Sequence, residues 1–143
     1  MTDTAGPAVA AIVARQWPEA EVASGLVPDD EDAIAGKLLE FCERGAALIV
    51  TAGGTGFGPR DRTPEATRRV IAREAPGLAE AMRSEGAKKN RFAWLSRGVA
   101  GLRGKTLIVN LPGSQRGAEE SLMAILPLLA HGIEIAAGGQ KHP

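Results

Sequence analysis

Residues Val50–Ala66, VTAGGTGFGPRDRTPEA, set the reading of the whole chain. The apolar run Ala47–Thr51, ALIVT, leads into them. It is short, β-rich and continuously apolar, which predicts a strand buried on both faces, as in a parallel sheet. A loop with Gly53, Gly54, Gly56 and Gly58 follows, then Arg60-Asp61, then Thr63-Pro64-Glu65. Thr63 suits an N-cap and Pro64 a first helical position, so a helix is predicted to start here. Glycines let backbone approach a ligand closely, and free N–H groups at a helix start point at anions. Strand, glycine loop, charged pair and helix together predict a site for a phosphorylated ligand.

Outward from this stretch, helices alternate with short apolar strands. Ala8–Trp17 and Glu31–Arg44 read as helices, the second ended by Gly45. Glu21–Val27, EVASGLV, reads as a weaker strand between them. Downstream, Pro64–Glu74 and Leu78–Ser84 read as helix, with Pro76-Gly77 as an interruption. Phe92–Arg97 suits a helical turn and Gly98–Gly104 a loop or short edge strand. Thr106–Leu111, TLIVNL, is the second confident strand, and it ends in the turn Pro112-Gly113-Ser114. A long helix over Ala118–Ala137, with Pro127 as a kink, and a loose GGQKHP tail complete the chain. This order predicts an α/β domain: three α/β/α layers on a mainly parallel sheet, in one domain spanning residues 1–143. In such sheets ligands sit at the carboxyl ends of the strands, so the two glycine turns are expected to be neighbours.

Composition narrows the function classes. Seventeen basic residues balance seventeen acidic ones, which leaves no electrostatic footprint for nucleic acid or an anionic membrane. The absence of Tyr argues against base-stacking platforms. The apolar runs are too short to span a bilayer, and no basic segment followed by an apolar run marks the N-terminus. With one cysteine, Cys42, no internal disulfide can form, which fits a reducing, cytoplasmic setting.

Each candidate residue has a functional and a structural reading. The glycine loop lacks the Gly-Lys-Ser/Thr ending of a Walker A loop and the spacing of the dinucleotide fingerprint. Asp61 suits a metal or nucleotide contact with Arg60 as phosphate clamp, or a local ion pair at a helix start. The acids Asp29 to Asp32 suit helix capping better than magnesium binding. Ser114 suits an anion contact or an N-cap equally. His131 and His142 have no partners at zinc-ligand spacing, and Cys42 reads as core. Amides, an arginine and carboxylates, with no arranged covalent nucleophile, suit phosphoryl or nucleotidyl transfer.

GGTGFGPRDRTPEA, PGLAEAMR, LSRGVAG and KTLIVNLPGS together closely resemble the MogA/MoaB-type molybdopterin adenylyltransferases, a family that includes the G domain of gephyrin. The resemblance runs from Asp3 to the C-terminus and includes ILPLLAHGIE and the KHP tail. It implies Mg²⁺-dependent transfer of AMP from ATP to the terminal phosphate of molybdopterin, releasing pyrophosphate. It implies Asp61 and Asp29 as the functional, metal-binding carboxylates, which moves Asp29 from cap to site. It places Gly53, Gly54, Thr55 and Gly56 in the nucleotide and pterin cradle. Arg60, Ser96, Arg97, Pro112, Gly113 and Ser114 are implied nearby. A homo-oligomer, trimeric or larger, and hand-over of product to a molybdenum-insertion protein are further expectations. One departure stands out: members of the family begin with an apolar strand and a Ser-Asp-Arg loop, which this sequence lacks. Loss of turnover with that strand, leaving a molybdopterin-binding scaffold, is the alternative reading. A general nucleotide-binding domain is a third.

Overall fold

The computed structural model describes residues 5–138, so the tail beyond Gly138, with His142, lies outside the described residues. In chain order the elements are α1 (Ala5–Gln16), α2 (Glu31–Glu43), β1 (Leu48–Ala52), α3 (Thr63–Val70), β2 (Arg73–Glu74) and α4 (Pro76–Ala87). A 3-10 turn (Arg91–Leu95), β3 (Ala100–Arg103), β4 (Thr106–Leu111) and α5 (Gln115–Ala136) follow.

Strand β4 is the spine of the sheet. All six of its residues are buried, because it has a strand on each edge and helices on each face. Side chains alternate across it. Leu107, Val109 and Leu111 join α1, α4 and α5 in one core, with Leu122, Ile125 and Leu129 of α5 fully buried against them. Ile108 points the other way and packs with Ile34, Ala35 and Leu38 of α2 and Ala66 and Val70 of α3. Two cores on the two faces of one sheet give the expected three layers.

The sheet order is β1-β4-β3-β2. Strands β1 and β4 are parallel, with Leu48 opposite Leu107 and Ala52 opposite Leu111. Strands β4, β3 and β2 then pair antiparallel, so the sheet is mixed among the described residues. The segment Gly98–Gly104 thus supplies an interior strand rather than an edge. The helix expected through Glu74 stops at Val70 because residues 73–74 pair with β3 instead. Pro76 opens α4, as proline at a first helical position should, and does not interrupt a longer helix. Helix α5 runs through Pro127, which lies on its exposed face, where a missing backbone hydrogen bond costs least.

The expected strand at Glu21–Val27 does not form. Those residues are exposed, and their backbone makes no hydrogen bond among the described residues. Val22, Leu26 and Val27 show large apolar surface to solvent. The outer edge of β1 likewise has no strand partner among the described residues. A strand needs a ladder to pair with, and neither segment finds one in the other.

Candidate active site

The turns after β1 and β4 touch, as parallel neighbours should. A Cβ built on Gly113 would lie 3.3 Å from the Gly53 Cα, so the two glycines meet back to back. The Gly53 N–H donates to the Leu111 carbonyl (2.9 Å), which extends the β1–β4 ladder into the turn. Gly54 then turns the chain with φ +69°, and its carbonyl accepts from the Thr63 N–H at the start of α3 (3.1 Å). Only glycine fits there: a Cβ on Gly54 would sit 2.2 Å from Thr63 Oγ1.

The loop between these points folds around Asp61. Asp61 Oδ2 accepts from the Gly58 N–H (2.8 Å), and the Asp61 N–H donates to the Gly58 carbonyl (3.0 Å). A Cβ on either Gly56 or Gly58 would lie 2.9 Å from Asp61 Oδ2, too close for any side chain without displacement. These two glycines therefore make room for a carboxylate. Phe57, Gly58, Pro59, Asp61, Arg62 and Arg97 line an open cleft of about 440 Å³ over this loop.

Arg97 reaches the cleft from the segment before β3. Its N–H donates to the Thr55 carbonyl (2.8 Å), its Nε to the Gly56 carbonyl (2.8 Å) and its second terminal nitrogen to the Asp61 carbonyl (2.6 Å). Its first terminal nitrogen donates to Glu65 Oε2 (2.6 Å). The Arg97 guanidinium holds the Glu65 carboxyl below the usual glutamate range. Ser96 Oγ accepts from the Gly98 N–H (3.2 Å), which folds the chain into this position.

The other expected residues take varied places. Ser114 is the N-cap of α5: its Oγ accepts from the Gly117 N–H (3.1 Å). Thr55 is buried, and Pro112 and Gly113 form the β4 turn. Arg60 and Asp29 are exposed and make no hydrogen bond or ion pair among the described residues. Asp30, not Asp29, caps α2, accepting from the Ala33 N–H (2.9 Å). Asp29 is thus left free of the structural duty that its neighbour performs. A magnesium ion usually keeps several waters and needs only one or two protein carboxylates plus phosphate oxygens. Asp61 Oδ1 and Asp29 are donors of that kind. Among the described residues no three His, Cys, Asp or Glu side chains gather into a metal cluster, so the protein offers no closed cage.

Three supporting residues escape a reading of motifs. Glu65 reads in sequence only as a helix-start acid, yet it is the partner of Arg97. Glu31 ties the two acidic segments together: it accepts from Arg62 (2.8 Å), next to Asp61, and from Arg69 (3.2 Å). Arg62 holds the Glu31 carboxyl below its ordinary value. Asn110 is buried in β4, accepts from the Val99 N–H (3.1 Å) and donates to Thr51 Oγ1 and Thr67 Oγ1 (both 3.0 Å). The one amide side chain within TLIVNL was the available signal for it.

Comparison with known proteins agrees with this fold. Residues 1–131 match the family model described as "Probable molybdopterin binding domain". The chain is 40% identical over 134 residues to the molybdenum cofactor synthesis protein cinnamon of Drosophila melanogaster, covering 93% of this chain and 22% of that protein. It is 41% identical over 114 residues to a molybdopterin adenylyltransferase of Helicobacter pylori, covering 79% of this chain and 65% of that one. The chain thus spans less than two thirds of these relatives. The crystal structure of the molybdopterin biosynthesis enzyme MoaB from Thermus thermophilus superimposes with a TM-score of 0.85 at 50% identity, covering 96% of this chain and 87% of that one. With the touching glycine turns, the Asp61 loop and the three-layer fold all in place, the chain belongs to the molybdopterin-binding domain family of MoaB- and MogA-type proteins.

Proposed function

We propose that this domain is a molybdopterin adenylyltransferase of molybdenum cofactor biosynthesis. The observation that carries the reading is the cleft over the Gly56–Asp61 loop, lined by Asp61, on the segment that leads out of the turn where Gly53 meets Gly113. A terminal phosphate oxygen of molybdopterin attacks the α-phosphorus of ATP. The bond to the leaving oxygen breaks, giving molybdopterin-AMP and pyrophosphate. Two polyanions must approach each other, so charge neutralisation and alignment are the main demands. Arg60, exposed and paired with no carboxylate among the described residues, would receive phosphate. The amides of Gly54 to Phe57, which donate to no group among the described residues, would supply further donors. Asp61 and Asp29 would hold Mg²⁺, which neutralises phosphate charge when bound. The reading includes one domain, a cytoplasmic setting, a homo-oligomer of three or more chains and hand-over of product to a molybdenum-insertion protein. No described helix is long and apolar enough to cross a membrane.

The test is incubation of the pure chain with molybdopterin, ATP and Mg²⁺, followed by detection of molybdopterin-AMP and pyrophosphate. Asp61→Asn should remove turnover and keep pterin binding. A folded chain that makes no product, or an active Asp61→Asn variant, overturns the reading or the residue's role respectively. The edge of β1, which has no strand partner among the described residues, favours one second reading, a molybdopterin-binding scaffold without turnover. Calorimetry distinguishes it: pterin binds, and ATP yields no pyrophosphate.

A further inference from the structure

We propose that Arg97 and Glu65 form one positioning unit that fixes the Gly56–Asp61 loop and so aims the Asp61 carboxylate, rather than contacting substrate. This inference rests on the adenylyl-transfer reading of the cleft. The loop has few bonds of its own. Between Gly56 and Asp61, the Gly58–Asp61 pair supplies two, one from each N–H. Among the described residues, every other hydrogen bond to the loop comes from Arg97. One guanidinium spans it, bonding the Gly56 carbonyl at its start and the Asp61 carbonyl at its end. The Arg97 backbone N–H adds the Thr55 carbonyl one residue earlier.

Glu65 completes the unit from the first turn of α3. It accepts from both terminal nitrogens of Arg97, at 2.6 and 3.5 Å. The arginine is thereby fixed in direction and largely neutralised, which weakens it as a phosphate ligand. Arg60 is the opposite case, exposed and without an ion pair among the described residues. The two arginines therefore divide the work. Arg60 draws in phosphate, and Arg97 holds the loop on which Asp61 stands. Lysine cannot replace Arg97, because a single ammonium has no planar fork to bridge two carbonyls and a carboxylate. Glutamine at position 65 keeps an acceptor and loses the charge.

The experiment has two readouts. Hydrogen exchange of the Gly58 and Asp61 amides is followed in the wild-type chain and in Arg97→Lys, Glu65→Gln and Arg60→Ala, with no ligand present. Steady-state kcat and KM for ATP and molybdopterin are measured on the same proteins. A misaimed carboxylate costs catalysis more than binding, so Arg97→Lys should lower kcat about 10- to 100-fold, with KM changed less than about threefold. Its loop amides should exchange faster. Glu65→Gln should do the same to a smaller degree, and it guards against misfolding of the stronger variant. Arg60→Ala should raise KM for ATP and leave loop exchange unchanged. A raised KM with unchanged kcat in Arg97→Lys, or unchanged loop exchange in both Arg97→Lys and Glu65→Gln, overturns the unit. If the wild-type chain makes no product but the variants still loosen the loop, the unit stands and the transferase reading falls.

Discussion

Gly54→Ala tests whether the loop conformation is as tightly determined as the contacts require, and Gly45→Ala is its built-in control. Both glycines have positive φ, +69° at Gly54 and +83° at Gly45. A left-handed alanine costs about 1–2 kcal/mol at either position. Nothing lies within 4 Å of a Cβ on Gly45, so that variant should lose only this amount. At Gly54 the new Cβ would lie 2.2 Å from Thr63 Oγ1 and 3.1 Å from Thr63 Cβ. Thr63 is 5% exposed and its N–H is bonded to the Gly54 carbonyl, so it cannot swing aside freely. Overpacking of this kind adds about 1–3 kcal/mol, for a total of about 2–5 kcal/mol. Urea denaturation of both variants gives the difference directly. Calorimetry with ATP should show weakened binding in Gly54→Ala and wild-type binding in Gly45→Ala. Equal destabilisation of the two, or an unaltered ATP affinity in Gly54→Ala, would refute the claim that the Gly54–Thr63 contact shapes the site.

Three further outcomes follow from the same contacts. Asn110→Ala strands the buried Val99 N–H and removes two bonds to threonine hydroxyls, so it should cost about 2–4 kcal/mol by denaturation; under 1 kcal/mol would mean that water takes over. Reversal of Glu31 and Arg62, singly and together, should give a favourable coupling in a double-mutant cycle that shrinks as salt rises; a coupling of zero would show that the pair does not tie the Asp29 and Asp61 segments. Glu65 has a folded-state pKa below its ordinary 4.5, so its stabilising contribution is complete above that pH and is lost as pH falls through the lowered value. Glu65→Gln should therefore lose less stability than the wild-type chain on acidification from about pH 5 to 3, and parallel curves would sink the argument.

The elements that bury apolar runs were legible in the sequence, and those that depend on partners were not. ALIVT and TLIVNL read as buried strands because they are continuously apolar, and both form strands, β1 and β4; only β4 is fully buried, since β1 lies at the sheet edge among the described residues and Ile49 alone in it is buried. Ile34, Ala35 and Leu38 keep helical spacing and do face the core. EVASGLV failed because pairing, not propensity, decides whether an extended segment becomes a strand. Arg73-Glu74 failed the other way. Two exposed charged residues carry no strand signal, and only the adjacent β3 recruits them. In the site, the glycine loop was visible from residue types alone, and the family resemblance singled out Asp61. Glu65, Glu31 and Asn110 were not, since each acts on a residue at least 20 positions away or across the sheet, and linear spacing cannot show that.

The mixed pairing of the sheet explains why Ser96-Arg97 reaches the site at all. In a wholly parallel sheet, the residues just before a strand lie at its amino end, on the side opposite the glycine turns. Strand β3 runs antiparallel to β4, with Ala100 opposite Val109, so its entry point lies at the carboxyl end of β4. The bond from the Asn110 N–H to the Val99 carbonyl (3.1 Å) fixes that entry point, and the Asn110 side chain fixes it again through the Val99 N–H. Two residues earlier, Arg97 arrives beside Thr55 and Gly56 with its guanidinium already inside the loop. The same asparagine reaches Thr51 at the end of β1 and Thr67 in α3, the two elements that flank the loop. A substitution at Asn110 should therefore disturb the aim of Asp61 through Arg97, although Asn110 lies beneath the cleft and does not line it. The antiparallel half of the sheet thus adds more than a packed edge: it delivers the clamp that a purely parallel arrangement would leave on the wrong side.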